Sequence, residues 1–158
     1  MAGRGQEPLV LEDFIPYRLN KVAEGISQGF ARHYRDEYGL TRPEWRVLAT
    51  LGQFGSRTAR EIGQHSSMHK TKVSRAVQGL EKRHWLKRAR DETDRRIEHL
   101  ELTPAGTSAY DKLAASAQIF QRRLLSSIGG VEARHLSEAL AALEDCIKQY
   151  GWRAARPE

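Results

Sequence analysis

The sequence predicts a mainly helical fold with one small β-hairpin, and three observations predict it. Long segments at both ends carry apolar residues at helical spacing. Two short central segments open with capping signals and are separated by a tight turn. Two extended runs follow, enclosing the polar stretch Asp91-Glu-Thr-Asp-Arg95. Two short helices joined by a turn form a helix-turn-helix, and a hairpin behind them forms a wing. The expected architecture is therefore a winged helix-turn-helix flanked by terminal helices.

Residues 1–10 read as a flexible tail. From Leu11 to Tyr38, apolar residues at 11, 14, 15, 19, 22, 26, 30 and 34 give one long helix, with Gly39 as its stop. Residues 11–39 are thus expected to form an N-terminal dimerisation helix. Thr41-Arg-Pro-Glu44 is a capping box with Pro43 where no intrahelical donor is needed. It opens a second helix running to about Phe54, expected to bury Trp45, Leu48, Leu51 and Phe54 before Gly55 ends it.

Thr58-Ala-Arg-Glu61 is a second capping box, opening a short helix that holds Ile62. Ser66-Ser67-Met68 is expected to turn, and the next helix to run from about His69 to Arg83. The hairpin strands are expected at Trp85–Arg90 and Arg96–Leu102, with Leu100 and Leu102 on one face. Residues 40–103 make up this central domain.

Thr103-Pro104 starts a further helix, with Thr as N-cap and Pro at the first helical position. Its apolar residues are Tyr110, Leu113, Ala117, Phe120 and Leu124. A last helix follows Gly129-Gly130, with Leu136, Leu140, Leu143, Ile147 and Tyr150. Both stripes alternate threes and fours, the seam of helices packing on helices. Residues 104–152 are therefore expected to act as C-terminal dimerisation helices against a second copy; a monomeric bundle is the alternative.

Charge marks the central domain. Between Arg57 and Arg96 there are twelve Lys/Arg and five acids, a net +7, while the remainder carries −1. Concentrated positive charge attracts polyanions by steering and counterion release. A solvated surface without a partner would carry the same count.

On the helix from His69, Val73, Ala76, Val77 and Leu80 share one face. Thr71, Arg75, Gln78 and Lys82 oppose them, flanked by Lys72 and Ser74. Arginine can pair with guanine, glutamine with adenine, and Ser or Thr with phosphates or base edges. Residues near the N-terminus of such a helix reach deepest into a groove. The DNA contacts expected are Lys70, Thr71, Lys72, Ser74, Arg75 and Gln78, with Arg95 and Arg96 in the wing. Arginine suits the concentrated negative potential of a narrow minor groove, and Asp94 is expected to orient one of these arginines.

Other chemistries have little support. No apolar run reaches the roughly 20 residues of a bilayer span, and MAGRGQEPLV lacks the apolar stretch of a signal peptide. A cytoplasmic protein is expected. The single cysteine, Cys146, excludes an internal disulfide and a four-cysteine zinc site. His65 and His69 are four apart but separated by a turn, so no metal site is expected. No phosphate loop or nucleophile–base motif is present, so neither a cofactor nor an enzymatic activity is expected.

Three segments carry a family resemblance: LTRPEWRVLATLG (40–52), TAREIGQHSSMHKTKVSRAVQGLEKR (58–83) and DRRIEHLELTPAG (94–106). In these the chain resembles the MarR family of winged-helix regulators, and the likeness runs in element order over residues 11–150. Residues 14–49 and 68–77 look closest to regulators of aromatic-acid and hydroxycinnamate catabolism. The resemblance implies a homodimer joined by its first and last helices and bound to double-stranded DNA at a pseudo-palindromic operator, and the expected role is that of a repressor. Ser74-Arg75 match the family's recognition pair, and Arg96 the wing arginine supported by Asp94. At His84-Trp85 the sequence departs from the family's usual glycine; His84 is either strained there or contacts the DNA backbone.

Family effectors usually bind between the dimerisation helices and the winged domain. Phe14, Tyr17, Arg18, Phe30 and Trp45 are the pocket residues expected here, most of the apolar ones serving equally as core. The effector expected is an aromatic acid or its CoA thioester, favouring a dimer geometry that does not fit the operator. Two rivals stand beside this reading. One is a winged helix used for protein contacts or dimerisation. The other is a redox-switched repressor working through Cys146, although neighbouring Glu144 and Asp145 disfavour a thiolate, with Lys148 opposing them.

Overall fold

The computed structural model describes residues 8–91, 94 and 97–150. Six helices and three short strands follow in the order α1 (Ile15–Tyr38), α2 (Arg42–Phe54), β1 (Arg57–Thr58), α3 (Ala59–Ser66), α4 (Lys70–Lys82), β2 (Leu86–Arg90), β3 (Glu98–Leu102), α5 (Pro104–Ile128) and α6 (Gly130–Tyr150). Contacts divide the chain into two compact units, Met1–Ser116 and Ala117–Glu158. The fold is mainly helical with a small antiparallel sheet, as the sequence predicts, but the sheet has three strands where a two-stranded hairpin was expected.

Helix α1 begins four residues later than Leu11. Proline lacks an amide donor and clashes with the carbonyl four residues back, so it is tolerated only in a first turn; Pro16 therefore fixes the start at Ile15, with Phe14 as N-cap. Before it, Asp13 N–H donates to the Val10 carbonyl and Phe14 N–H to that of Leu11, forming turns. Gly39 ends the helix at φ 61°, a left-handed conformation that favours glycine.

Both capping boxes are present. Thr41 and Glu44 cap α2 reciprocally, and Thr58 and Glu61 cap α3. The face α2 buries differs in part from the expected one. Leu48 and Leu51 are buried, joined by Val47, but Trp45 is only partly covered and Phe54 is exposed at 39%. Phe54 instead packs edge-on against His65 at the helix end, with the Arg57 guanidinium 5.7 Å from its ring centre.

Ser66 is the last helical residue of α3, and the turn is made by Ser67 at φ 52°. β1, a two-residue strand, was not visible in the sequence because it is too short to show alternation. It pairs antiparallel with β3 (Arg57↔Leu100, Thr58↔His99), so β3 lies between β1 and β2. β2 begins at Leu86 rather than Trp85 and pairs from Leu86↔Leu102 to Arg90↔Glu98.

The core lies wholly in the first unit. Tyr34 of α1, Leu40, Val47 and Leu48, Ile62 of α3, Val73, Val77 and Leu80 of α4, Leu100 of β3 and Leu113 of α5 are at most 2% exposed. Gly79 lets α4 approach the α2 cap, since a Cβ there would stand 2.0 Å from Glu44 Oε1. One turn on, the Arg83 guanidinium donates to the Tyr38 and Gly39 carbonyls, each at 2.8 Å, tying the end of α4 to the end of α1.

In the second unit, none of the described residues 117–149 is buried. Leu136, Leu140 and Ile147 of α6 are exposed by 40–47%, and Leu143 is half-buried. In the first unit, the start of α1 is equally bare, with Ile15, Leu19 and Val22 exposed.

Candidate nucleic-acid interface

Helix α4 separates its two faces cleanly. Val73, Ala76, Val77 and Leu80 are 0–3% exposed and anchor it to the core. Lys70, Thr71, Lys72, Ser74, Arg75 and Gln78 are all exposed, and among the described residues their side chains have no hydrogen bond or ion pair. Chemistry at this face is therefore available to a partner. The N-cap residue His69 makes no side-chain cap bond, and no acid occupies the first turn. The start of α4 thus presents open amides and the positive end of the helix dipole, a setting that favours phosphate.

The wing rises from β2 and β3 next to α4. Arg88 of β2 joins it to the helix: Nε and Nη2 donate to Glu81 of α4, and Nη1 donates to Glu98 of β3. These two acids, Glu81 first, hold the Arg88 guanidinium still more firmly protonated than usual. At the outer end of the strands, Asp91 accepts from the Asp94 amide at 2.9 Å and pairs with His99 Nε2 at 2.9 Å. Arg95 and Arg96, the two wing contacts expected from the sequence, lie outside the described residues, as does any pairing of Asp94 with them. Asp94 itself is exposed.

Arg88, Glu81, Asp91 and His99 escaped the sequence reading. Their partners stand on different elements, and no local periodicity signals such a contact. His84 did stand out, and it adopts φ 58°, the left-handed conformation that glycine takes without strain. Its amide donates to the Glu81 carbonyl and its own carbonyl accepts from Thr103 Oγ1 at 2.7 Å.

The five residues expected to line an effector pocket are only partly brought together. Phe30 and Trp45 meet with ring centres 5.4 Å apart, in a cluster with Tyr34. Phe14, Tyr17 and Arg18 are exposed at the other end of α1. At 1.5 Å per residue, Phe14 and Phe30 are about 24 Å apart along the helix, so no pocket within one chain unites all five. Between these groups Glu24 accepts two hydrogen bonds from Arg42, which, followed by a bond from Gln28, hold its carboxyl down at about 2.

His65, one of the two histidines weighed as metal ligands, lies 3.3 Å from Thr50 Oγ1 through Nδ1. Among the described residues no group of three or more His, Cys, Asp or Glu is placed to hold a metal. Cys146 is exposed, and Lys148 pairs with Asp145. No described helix is long and apolar enough to cross a membrane.

Comparison with known proteins agrees with this geometry. Residues 38–97 match the MarR family, spanning the end of α1, the helix-turn-helix and the start of the wing. The chain is 28% identical over 109 residues to the HTH-type transcriptional repressor MdtR of Bacillus subtilis, covering 67% of this chain and 70% of that one. The solved structure of the MarR family regulator SPO1453 from Silicibacter pomeroyi superposes with a TM-score of 0.79 at 28% identity, covering 89% of this chain and 99% of that one. Streptococcus pneumoniae FabT, solved in complex with DNA, shares the fold alone: TM-score 0.73, 16% identity, 87% and 97% covered. The match over residues 38–97 and the fold shared with solved relatives both support the MarR family for this chain.

Proposed function

We propose that this protein is a cytoplasmic, sequence-specific DNA-binding transcriptional regulator, a repressor rather than an enzyme, that binds a pseudo-palindromic operator as a homodimer. The observation that carries the reading is α4: a buried apolar face on one side, and on the other six cationic or polar side chains with no partner among the described residues. The likeness to MdtR favours repression. In this reading Arg75 and Gln78 read base edges, Lys70, Thr71, Lys72 and Ser74 engage phosphates or bases, and Arg95 and Arg96 of the wing reach the adjacent minor groove with Asp94 in support.

The bare apolar faces of α1 and α6 are the surfaces a second copy would cover, because exposed contiguous apolar area favours association. A second chain would also complete the effector pocket. Phe30 and Trp45 supply one aromatic wall, and Phe14, Tyr17 and Arg18 supply further aromatic surface and a cation for the carboxylate of an aromatic acid or its CoA thioester. Such a ligand lowers operator affinity only by binding better to a dimer geometry that does not fit DNA.

The test is binding of the purified protein to a duplex from upstream of its own gene, against a shuffled duplex, over a range of salt concentrations. Preferential binding that weakens with salt is expected, and Arg75→Ala should cost about 1–3 kcal/mol and relax preference at one base position. Equal, weak binding to both duplexes would overturn sequence-specific recognition at that site. Salt-insensitive binding to a protein partner would favour the protein-contact module instead.

A further inference from the structure

The ladder between β2 and β3 ends at the pair Arg90↔Glu98. Residues 91–97, which include Arg95 and Arg96, join the two strands beyond it. The described residues of this segment are held by other bonds. The Ile97 amide donates to the Asp94 carbonyl at 2.9 Å, and the Asp91 amide donates to the Ile97 carbonyl at 3.1 Å. Asp91 then uses both oxygens of its side chain. Oδ1 accepts from the Asp94 amide and Oδ2 from His99 Nε2, each at 2.9 Å. A carboxylate only accepts, so Nε2 carries the shared proton. His99 stands on firm ground: β3 is the middle strand, and His99 is registered opposite Thr58 of β1 and Ala89 of β2. Its side chain and that of Asp91 are 30% and 24% exposed, so solvent screens their bond less than that of a surface pair.

We propose that His99 is a positioning residue for DNA binding, which through Asp91 holds the wing loop in the shape that presents its arginines to a duplex. The sheet reaches the loop by one chain of bonds, from the His99 imidazole to the Asp91 carboxylate to the Asp94 amide. A loop ordered before the duplex arrives loses less entropy on binding. His99 acts from within the sheet, through Asp91 rather than by touching DNA. Its effect is therefore confined to what Arg95 and Arg96 contribute. Only the effect on affinity rests on the DNA-binding reading; the anchoring of the loop does not.

Affinity for the duplex from upstream of the protein's own gene is measured by fluorescence anisotropy with the full-length chain. Wild type, His99→Leu and His99→Gln are compared, each alone and combined with Arg95→Ala and Arg96→Ala. His99→Leu should bind about tenfold more weakly, on the scale of losing one specific contact. His99→Gln, whose Nε2 donates from nearly the same place, should recover most of that loss. Without the two arginines, His99→Leu should cost less than about twofold. In the DNA-free protein, the backbone nitrogen-15 NOE of Asp94 and Ile97 should fall in His99→Leu, while Val73 and Val77 of α4 keep theirs and verify the fold. Asp91→Ala is expected to behave as His99→Leu does and replaces it if that variant does not fold. Unchanged affinity in His99→Leu, or an unchanged NOE at Asp94 and Ile97, would overturn the proposal. An equal loss with and without the arginines would also overturn it, making the imidazole a DNA contact or a general stabiliser. A wild type that binds no duplex would fail the proposed function, and the NOE comparison would still decide the anchor.

Discussion

A single backbone angle makes His84 informative. It stands between the end of α4 and the start of β2 at φ 58°, where a side chain costs roughly 1–2 kcal/mol that glycine does not incur. Glycine returns part of that through its greater freedom in the unfolded chain. His84→Gly is therefore expected to stabilise the protein by about 1 kcal/mol, raising Tm by about 2–4 °C in a thermal melt. Unchanged DNA affinity in that variant would identify strain as the whole story, whereas a fall would mark the imidazole as a contact to the DNA backbone. Sequence reading flagged His84 because the family that the chain resembles usually has glycine at that position. It could not flag Arg83, whose bonds to the Tyr38 and Gly39 carbonyls span more than forty residues.

Among the elements, α5 meets the wing at a point where helix propensity and packing pull in opposite directions. Alanine is the better helix former by roughly 1 kcal/mol. Yet a Cβ on Gly106 would stand 2.0 Å from the Trp85 carbonyl oxygen, a backbone atom that cannot swing aside. Overpacking of this kind costs typically about 1–3 kcal/mol, so Gly106→Ala should lower stability by about 2 kcal/mol in urea denaturation. Gly25→Ala on α1, with nothing within 4 Å of the added carbon, should instead raise it by up to about 1 kcal/mol. The same chemical change with opposite signs isolates the close approach. At this scale the sequence was most readable where the signal is local: two capping boxes, the inner face of α4, Gly39 as a stop. It was least readable for β1, two residues long, and for the start of α1, where apolar periodicity outvoted Pro16.

For the whole molecule, the open question is what covers the apolar residues left bare. Leu136, Leu140 and Ile147 of α6 are exposed by 40–47%, and none of residues 117–149 is buried. A homodimer predicts a Tm that rises with protein concentration, because association is linked to folding. Leu140→Glu should shift sedimentation equilibrium toward monomer and remove that dependence. A wild-type chain that sediments as a monomer at all concentrations would refute the homodimer. The winged-helix architecture was legible because each of its parts is encoded within ten or twenty residues. Whether Phe14, Tyr17, Arg18, Phe30 and Trp45 share one site was not legible, because they are spread over one long helix and the next, and spacing along α1 keeps Phe14 far from Phe30.

Thr58 belongs to two structures at once. Its hydroxyl and amide complete the cap of α3 through Glu61, and its backbone is half of β1, registered against His99 of the wing. The Thr58 amide and hydroxyl also hold the Glu61 carboxyl below its usual range, so the cap is charged at neutral pH. Peeling β1 from the sheet and unravelling the first turn of α3 are therefore one event rather than two. The wing and the helix-turn-helix, though separate in sequence, share a single cooperative opening step at this residue.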